Sequence, residues 1–280
     1  MSKDFRHLLT FDIEHWYEGY IHRGLGGWEG LPPRDPVVVE KLLELLAQYK
    51  QSATFFVTGK FAREFPSLVK SCCERGHEVA SHSDVHRAIY HMGSRSEFRD
   101  DLQRSLDTLT GITGRQAFGF RAPKWSITQE NKCWVLCELV DAGLMYDSSF
   151  SSVQGHDCAG DRGWPLRIEL SGGRFITEIP ATGLAIGPIT LPATGGFYLR
   201  AFPVWIATAM LTQKSRLNIP GIIYLHPYDL CSHGDNIFEV GLLFKIFRSY
   251  GVKSAWKKLE ILLANHRFES IGNMLGLLPG

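Results

Sequence analysis

Glu78-Val79-Ala80-Ser81-His82-Ser83-Asp84-Val85-His86 is the stretch on which the reading of this chain turns. Its first four residues read as a short strand that delivers the chain directly to a histidine, and a second histidine follows four positions later. On a helical turn, two imidazoles at that spacing face the same way. A carboxylate from another segment would complete a facial set of three metal ligands, leaving positions open for water and substrate. Asp12 and Glu14 are the candidates, because they follow another short apolar run, Leu8-Leu9-Thr10-Phe11. A histidine pair at this spacing is by itself often a packing feature; the strand before it and the second strand ending in carboxylates are what strengthen it. Asp84 leaves the turn at a different position and reads as a turn residue, not a ligand.

The same rhythm extends in both directions. Val37 to Tyr49 has helical periodicity with Pro36 in its first turn, and Ala53 to Val57 is a second apolar strand. Phe61 to Arg75 reads as one helix stopped by Gly76. Arg95 to Thr110 is helical, with Ser96 before Glu97 as a candidate cap. Gln116 to Phe120 is a strand ending at Arg121-Ala122-Pro123. Thr128 to Ala142 is a helix that leads into Tyr146-Asp147-Ser148-Ser149. Arg174 to Pro180 reads as a strand, Phe202 to Leu217 as a helix, and Gly221 to Leu225 as a last core strand ending at His226-Pro227. Residues 13–35 and 151–165 read as connections, and 181–200 as a substrate-facing loop. Residues 240–267 read as helices whose lysines, Lys253, Lys257 and Lys258, form a solvated face. Strand, polar residues, then helix, repeated, predicts a parallel α/β architecture with its site at the carboxyl ends of the strands.

Composition narrows the function classes. A chain of 280 residues with 44% hydrophobic content can bury one sizeable core. We therefore expect a single domain over 1–280, with 236–280 a mainly helical extension packed on it. The formal net charge of +1 and the absence of a basic tail argue against nucleic acid as a partner. No apolar run reaches membrane-spanning length, and the N-terminus lacks the apolar stretch of a signal peptide. Six cysteines without a Cys-x-x-Cys pair fit reduced thiols, hence a cytoplasmic location. Seven tryptophans, nine tyrosines and seventeen phenylalanines are enough to line a groove as well as fill a core.

Five segments in order, from Leu8 to Leu230, resemble the polysaccharide deacetylases with the NodB homology domain, the family-four type of carbohydrate esterase. The resemblance is greatest to the polysaccharide-biosynthesis branch, whose first motif reads Phe-Asp-x-Glu as in Phe11-Asp12-Ile13-Glu14. It implies a distorted parallel (β/α)7 barrel. It matches Asp12 to the catalytic base and His82 and His86 to metal ligands. Glu14 stands in for the family's usual ligand aspartate, one residue later and one methylene longer. In Phe120-Arg121-Ala122-Pro123-Lys124-Trp125, Arg121 matches the arginine that holds the base and Trp125 a wall of the sugar pocket. Asp147 matches the aspartate that pairs with the catalytic histidine, and His226, in Leu225-His226-Pro227, matches that histidine as general acid. Thr194-Gly195-Gly196-Phe197-Tyr198-Leu199-Arg200 resembles a Gly-Gly-aromatic-Arg loop of the same branch. There Gly196 would allow close backbone approach, Phe197 and Tyr198 would stack on a sugar, and Arg200 would meet an anionic group.

The resemblance implies a metal-dependent hydrolase with one divalent ion, zinc being the expected one. Its substrate would be an acetamido sugar or glycan precursor in O-antigen, capsule or exopolysaccharide synthesis. O-deacetylation uses the same chemistry. Hydrolysis of a small cyclic or linear amide is a neighbouring alternative. A carbohydrate-binding or assembly protein with a lapsed site is the non-enzymatic one. Oligomeric state is left open by the sequence.

Overall fold

Strand β1 (Arg6–Ile13) shows how one alternation builds both the core and the site. Leu9, Phe11 and Ile13 face outward into the large apolar core beneath the helices, whereas Leu8 faces a smaller cluster with Phe56, Ala80, Tyr146, Ile179 and Ile222. With a period of two, Thr10, Asp12 and Glu14 continue the inward face above Leu8.

The structure is a computed structural model that describes residues 5–18, 33–151, 164–187, 189–231 and 241–278. Most of the connections expected over 13–35 and 151–165, Cys158, and the start of the extension expected from 236 lie outside the described residues. The further strands are β2 (Thr54–Val57), β3 (Glu78–Ser81), β4 (Gly119–Phe120), β5 (Tyr146–Asp147), β6 (Leu166–Glu169), β7 (Phe175–Glu178), β8 (Gly183–Ile186), β9 (Ile189–Pro192), β10 (Ile222–Leu225) and β11 (Arg267–Glu269). They form a sheet in the order β10-β1-β2-β3-β4-β5-β7-β6, with β11 pairing with the start of β1; β8 and β9 form a separate hairpin. From β10 to β7 every pairing is parallel, and β6 caps that edge antiparallel. The register sets Asp12 opposite Phe56 and Ile13 opposite Val57, so β1 stays extended past Asp12 and keeps Asp12 and Glu14 on one face. The sheet curls into an open, distorted α/β barrel: Arg121, just after β4, reaches back across β3 and β2 to within 2.7 Å of Asp12.

Helices cover the outer face for the usual reason, an apolar stripe turned inward. Helix Asp35–Tyr49 buries Val38, Val39, Leu42, Leu43 and Leu46. The single helix expected over 61–75 is two, Gly59–Glu64 and Pro66–Glu74, because Pro66 has no N–H to continue the first and starts the second. Ser94, not Ser96, caps helix Arg95–Thr113 by accepting the Glu97 N–H. The strand expected over 116–120 shrinks to the two residues of β4. The expected loop over 181–200 contains the β8–β9 hairpin and a short helix, Gly196–Ala201. The C-terminal part holds helices Leu242–Ser249 and Val252–Asn265, but it also returns β11 to β1. That return is pinned at the bottom of the barrel, where buried Glu78 accepts from Thr54 Oγ1 at 2.6 Å, Tyr146 Oη at 2.9 Å and the Gly272 N–H at 2.8 Å.

Candidate active site

At the carboxyl ends of β1, β3, β4 and β10 the inward-facing polar residues meet. The backbone of the His82–His86 segment is not helical, contrary to the turn its spacing suggests. His82 continues β3 by bonding to the Val57 carbonyl, and Ser83 (φ 70°) and His86 (φ 50°) then take left-handed conformations. These are costly for residues with a Cβ and persist only where surroundings fix them. Asp101 does so here, accepting from Ser83 Oγ at 2.5 Å and from the Asp84 N–H at 2.9 Å. The fold thus brings the imidazoles together, their ring centres 5.0 Å apart. Asp84 points away to Arg63, at 2.6 Å, as befits a turn residue.

Each ring has a defined partner. His82 Nδ1 lies 2.7 Å from the Arg121 carbonyl oxygen, so Nδ1 carries the proton and Nε2 keeps its lone pair. Burial holds the His82 pKa down to about 4, which favours that neutral form. His86 Nδ1 lies 2.8 Å from Glu14 Oε2. Burial pushes the Glu14 carboxyl up, but His86 outweighs it and holds the pKa at about 2.

Asp12 is nearly inaccessible and bonded through Oδ1 to Arg121 Nη1 at 2.7 Å. Four of the five guanidinium N–H groups are engaged: Nη1 also donates to Thr10 Oγ1, Nε to the Ser148 carbonyl and Nη2 to Ser148 Oγ. It packs over the Phe56 ring at 4.1 Å. Burial opposes ionisation of Asp12, yet the charges of Arg121, His82 and His226 keep its carboxyl below the usual range.

His226 Nε2 faces both carboxylates, 3.7 Å from Asp12 Oδ2 and 3.8 Å from Glu14 Oε1. On its other side Nδ1 meets Asp229 Oδ2 at 3.2 Å. This corrects the expected pairing with Asp147. Asp147 is buried under the Arg121 loop, where it accepts from Ser149 Oγ at 2.6 Å. Asp229 is the third residue of a short helix, Pro227–Leu230, that His226 caps, and its Oδ2 also accepts the His226 N–H at 2.9 Å. Burial opposes protonation of His226, but Asp229, Asp12 and Glu14 together raise its pKa above the ordinary value.

Arg200 is the second correction. It is buried and faces protein: Nε donates to Asp229 Oδ1 at 2.9 Å, and its other nitrogens donate to the carbonyls of Phe247, Arg248 and Tyr250. It is placed to hold Asp229, not an anionic substrate. Gly196 does permit a close approach, but to the same residue, since a Cβ there would stand 1.8 Å from Asp229 Oδ2. Trp125, Phe197 and Tyr198 do line one cleft of about 230 Å³, together with Tyr224, His226, Tyr228 and Phe247. Tyr224 and Tyr228 are additions; Tyr228 stacks on His226 at 4.4 Å.

Two imidazoles and a carboxylate are a suitable donor set for a divalent ion. Three features of the site fit it. The Nδ1 contact of His82 leaves Nε2 to coordinate. Glu14 Oε2 is buried and, among the described residues, accepts no well-directed hydrogen bond. The two histidines are adjacent. Among the described residues, however, no three His, Cys, Asp or Glu side chains already stand at metal-centre spacing. Glu14 Oε2 and His86 Nδ1, 2.8 Å apart, already stand near the separation of two donors on one ion, and His82 would have to close on them to share it.

Fold and site together define a deacetylase-type α/β barrel. Residues 6–136 belong to the polysaccharide deacetylase family, whose model, "Polysaccharide deacetylase", they match, and a second, "Domain of unknown function (DUF3473)", matches 148–276. A chitooligosaccharide deacetylase of Sinorhizobium fredii is 36% identical over 110 residues, which is 39% of this chain and 49% of that protein. The chain thus spans about half the length of that curated relative, and somewhat less of the next ones. A crystal structure of polysaccharide deacetylase type from Mycobacterium smegmatis superposes with a TM-score of 0.64 at 18% identity, covering 99% of this chain and 91% of that one. A family-four carbohydrate esterase pseudoenzyme from Bacillus anthracis superposes at 0.51 with 15% identity, covering 97% and 66%.

Proposed function

We propose that the protein is a metal-dependent carbohydrate N-deacetylase that frees an amine on an acetamido sugar. Its setting in this reading is the assembly of bacterial surface polysaccharide, on a precursor inside the cell. The observation that carries the reading is the position of His226 Nε2, within 4 Å of both Asp12 and Glu14 and backed by Asp229. A base candidate, a ligand candidate and an acid candidate thus converge on one point at the mouth of an aromatic cleft.

Glu14, His82 and His86 would hold the ion. Such an ion, when bound, polarises a carbonyl oxygen and makes water more acidic. Asp12, kept ionised by Arg121, accepts a proton from the attacking water. His226, charged through Asp229, gives its proton to the sugar nitrogen as the C–N bond breaks, so acetate and an amine leave. Trp125 and Tyr224, edge to face at 5.1 Å, wall the side of the cleft where a sugar ring would rest. The relatives that act on chitooligosaccharide or peptidoglycan support the substrate class.

The experiment combines metal analysis with acetate release from a panel of acetamido sugars, using Asp12→Asn as control. Stoichiometric divalent metal and release abolished by the substitution are expected. A protein that takes up no metal and releases no more acetate than the variant would overturn the reading in favour of a carbohydrate-binding protein.

A further inference from the structure

Helix Leu242–Ser249 is turned inside out. Arg248 is its inward residue: it is buried, lies over the Tyr228 ring at 3.9 Å and donates to the Trp16 carbonyl at 2.9 Å. The aliphatic stripe faces solvent instead, with Leu242 72%, Leu243 84% and Ile246 46% exposed. A helix packed on its own protein shows the opposite arrangement.

This apolar face is continuous with the cleft. Phe247 stacks on Phe197 at 4.5 Å, and Tyr198 meets Phe202 at 6.0 Å. Trp205, three residues beyond Phe202 in the first turn of helix Val204–Arg216, is 64% exposed. Phe197, Tyr198 and Phe247 also wall the cleft, so an apolar ridge runs from the candidate site to the outside.

Charge identifies the occupant. Residues 241–259 hold five basic and no acidic side chains, in a chain whose net charge is only +1. Arg248 and Lys258 turn inward, Lys258 onto the carbonyls of Leu199, Arg200 and Phe202, and Lys257 pairs with Glu260. Beside the Lys257–Glu260 pair, Lys245 and Lys253 have no ion pair among the described residues. An amphipathic helix with an exposed apolar face and flanking lysines suits the boundary of an anionic membrane. A second copy suits it less, because a two-fold interface would set the same lysines against each other. A soluble glycan suits it least, since a Leu-Leu-Ile stripe offers a sugar neither hydrogen bonds nor a flat ring.

We propose that this face docks on the surface of an anionic phospholipid bilayer and holds the cleft at the headgroup level. Of the lysines read from sequence as a merely solvated face, Lys253 then contributes to the contact, with Lys245 beside it. The consequence for substrate, an acetamido sugar presented on a lipid carrier, rests on the deacetylase reading; the docking does not.

The test is co-sedimentation of the full chain with vesicles of phosphatidylcholine alone or mixed equally with phosphatidylglycerol. Binding to the mixed vesicles, weakened by salt, is expected. Leu243→Glu with Ile246→Glu should weaken it by about tenfold or more, as two apolar contacts are lost. Lys245→Glu with Lys253→Glu should weaken binding to mixed vesicles only. All four positions are at the surface, and circular dichroism checks that the variants fold. Absence of binding to the mixed vesicles overturns the proposal. So does a dimer in light scattering that the Leu243/Ile246 variant dissociates. Asp12→Asn protein should bind as the unaltered chain does, so failure to find deacetylase activity and failure to dock are separate results.

Discussion

Asp229 holds His226 from two sides, accepting its backbone N–H at 2.9 Å and facing its Nδ1 at 3.2 Å through the same carboxylate oxygen. The other oxygen of Asp229 is fixed by Arg200. The candidate acid is therefore oriented by a carboxylate three residues away on its own helix.

Replacing Asp229 by Asn should lower kcat by about 10²-fold, in the range of a lost acid–base contribution. The pH profile distinguishes this from damage to the fold. His226 has a raised pKa, so the protonated form is present below that pKa and lost as pH rises through it. Without Asp229 the pKa falls, and the alkaline limb should move to lower pH. Asp147→Asn, which alters a buried group bonded to Ser149, should leave the limb in place. A limb that moves with Asp147 and not with Asp229 would restore the pairing expected from the resemblance.

Gly196→Ala probes the same contact by steric means. Alanine favours the helix Gly196–Ala201 by about 0.5–1 kcal/mol over glycine. Its Cβ, however, would enter the space of the Asp229 carboxylate, which Arg200 and His226 prevent from swinging away freely. The expected outcome is a fold retained in circular dichroism with acetate release reduced at least about tenfold, because catalytic geometry tolerates displacement poorly. Unchanged kcat would mean that Asp229 does not position His226.

How much of this was legible in the sequence depends on the distance over which each feature is fixed. The strands of the barrel were legible because alternation and turn residues are local signals. Asp12, Arg121 and His226 follow those strands and were found with them. Histidine spacing suggested a helical turn, but the left-handed Ser83 and the turn into Asp84 are fixed by Asp101, some seventeen residues further on. Strand β11, three residues long, is too short to carry a pattern, and it forms because Gln51, Thr54 and Glu78 receive its end. Asp229 had a local signal, the sequence His226-Pro227-Tyr228-Asp229, with proline at the first helical position and an acid at the third. Arg200 had none, since nothing nearby in sequence tells that Asp229 and three carbonyls will surround it.

Arg121 and Asp12 should separate stability from activity. Both are buried, and removing the cation strands a carboxylate without its partner. Arg121→Met is expected to destabilise the protein by about 3–5 kcal/mol, read from urea unfolding. Asp12→Asn keeps an oxygen for Arg121 to bond and should cost less stability than Arg121→Met, yet abolish acetate release. Equal destabilisation by the two would show that the ion pair serves the fold alone.

His7 predicts an acid-sensitive fold independent of the site. Its Nδ1 accepts the Gly221 N–H at 3.0 Å, so the ring is held neutral at the junction of β1 and β10. Burial, with His266 nearby, lowers its pKa from 6.5 to about 3. Between those values the unfolded chain binds a proton that the folded one refuses, so stability is full above pH 6.5 and falls as the pH drops towards 3. The slope from this residue is about 1.4 kcal/mol per pH unit. His7→Gln, neutral at every pH, should lose some stability at pH 7 but flatten the decline, so urea midpoints of the two proteins converge towards pH 4. Parallel midpoints across that range would show that His7 takes up its proton in the folded state.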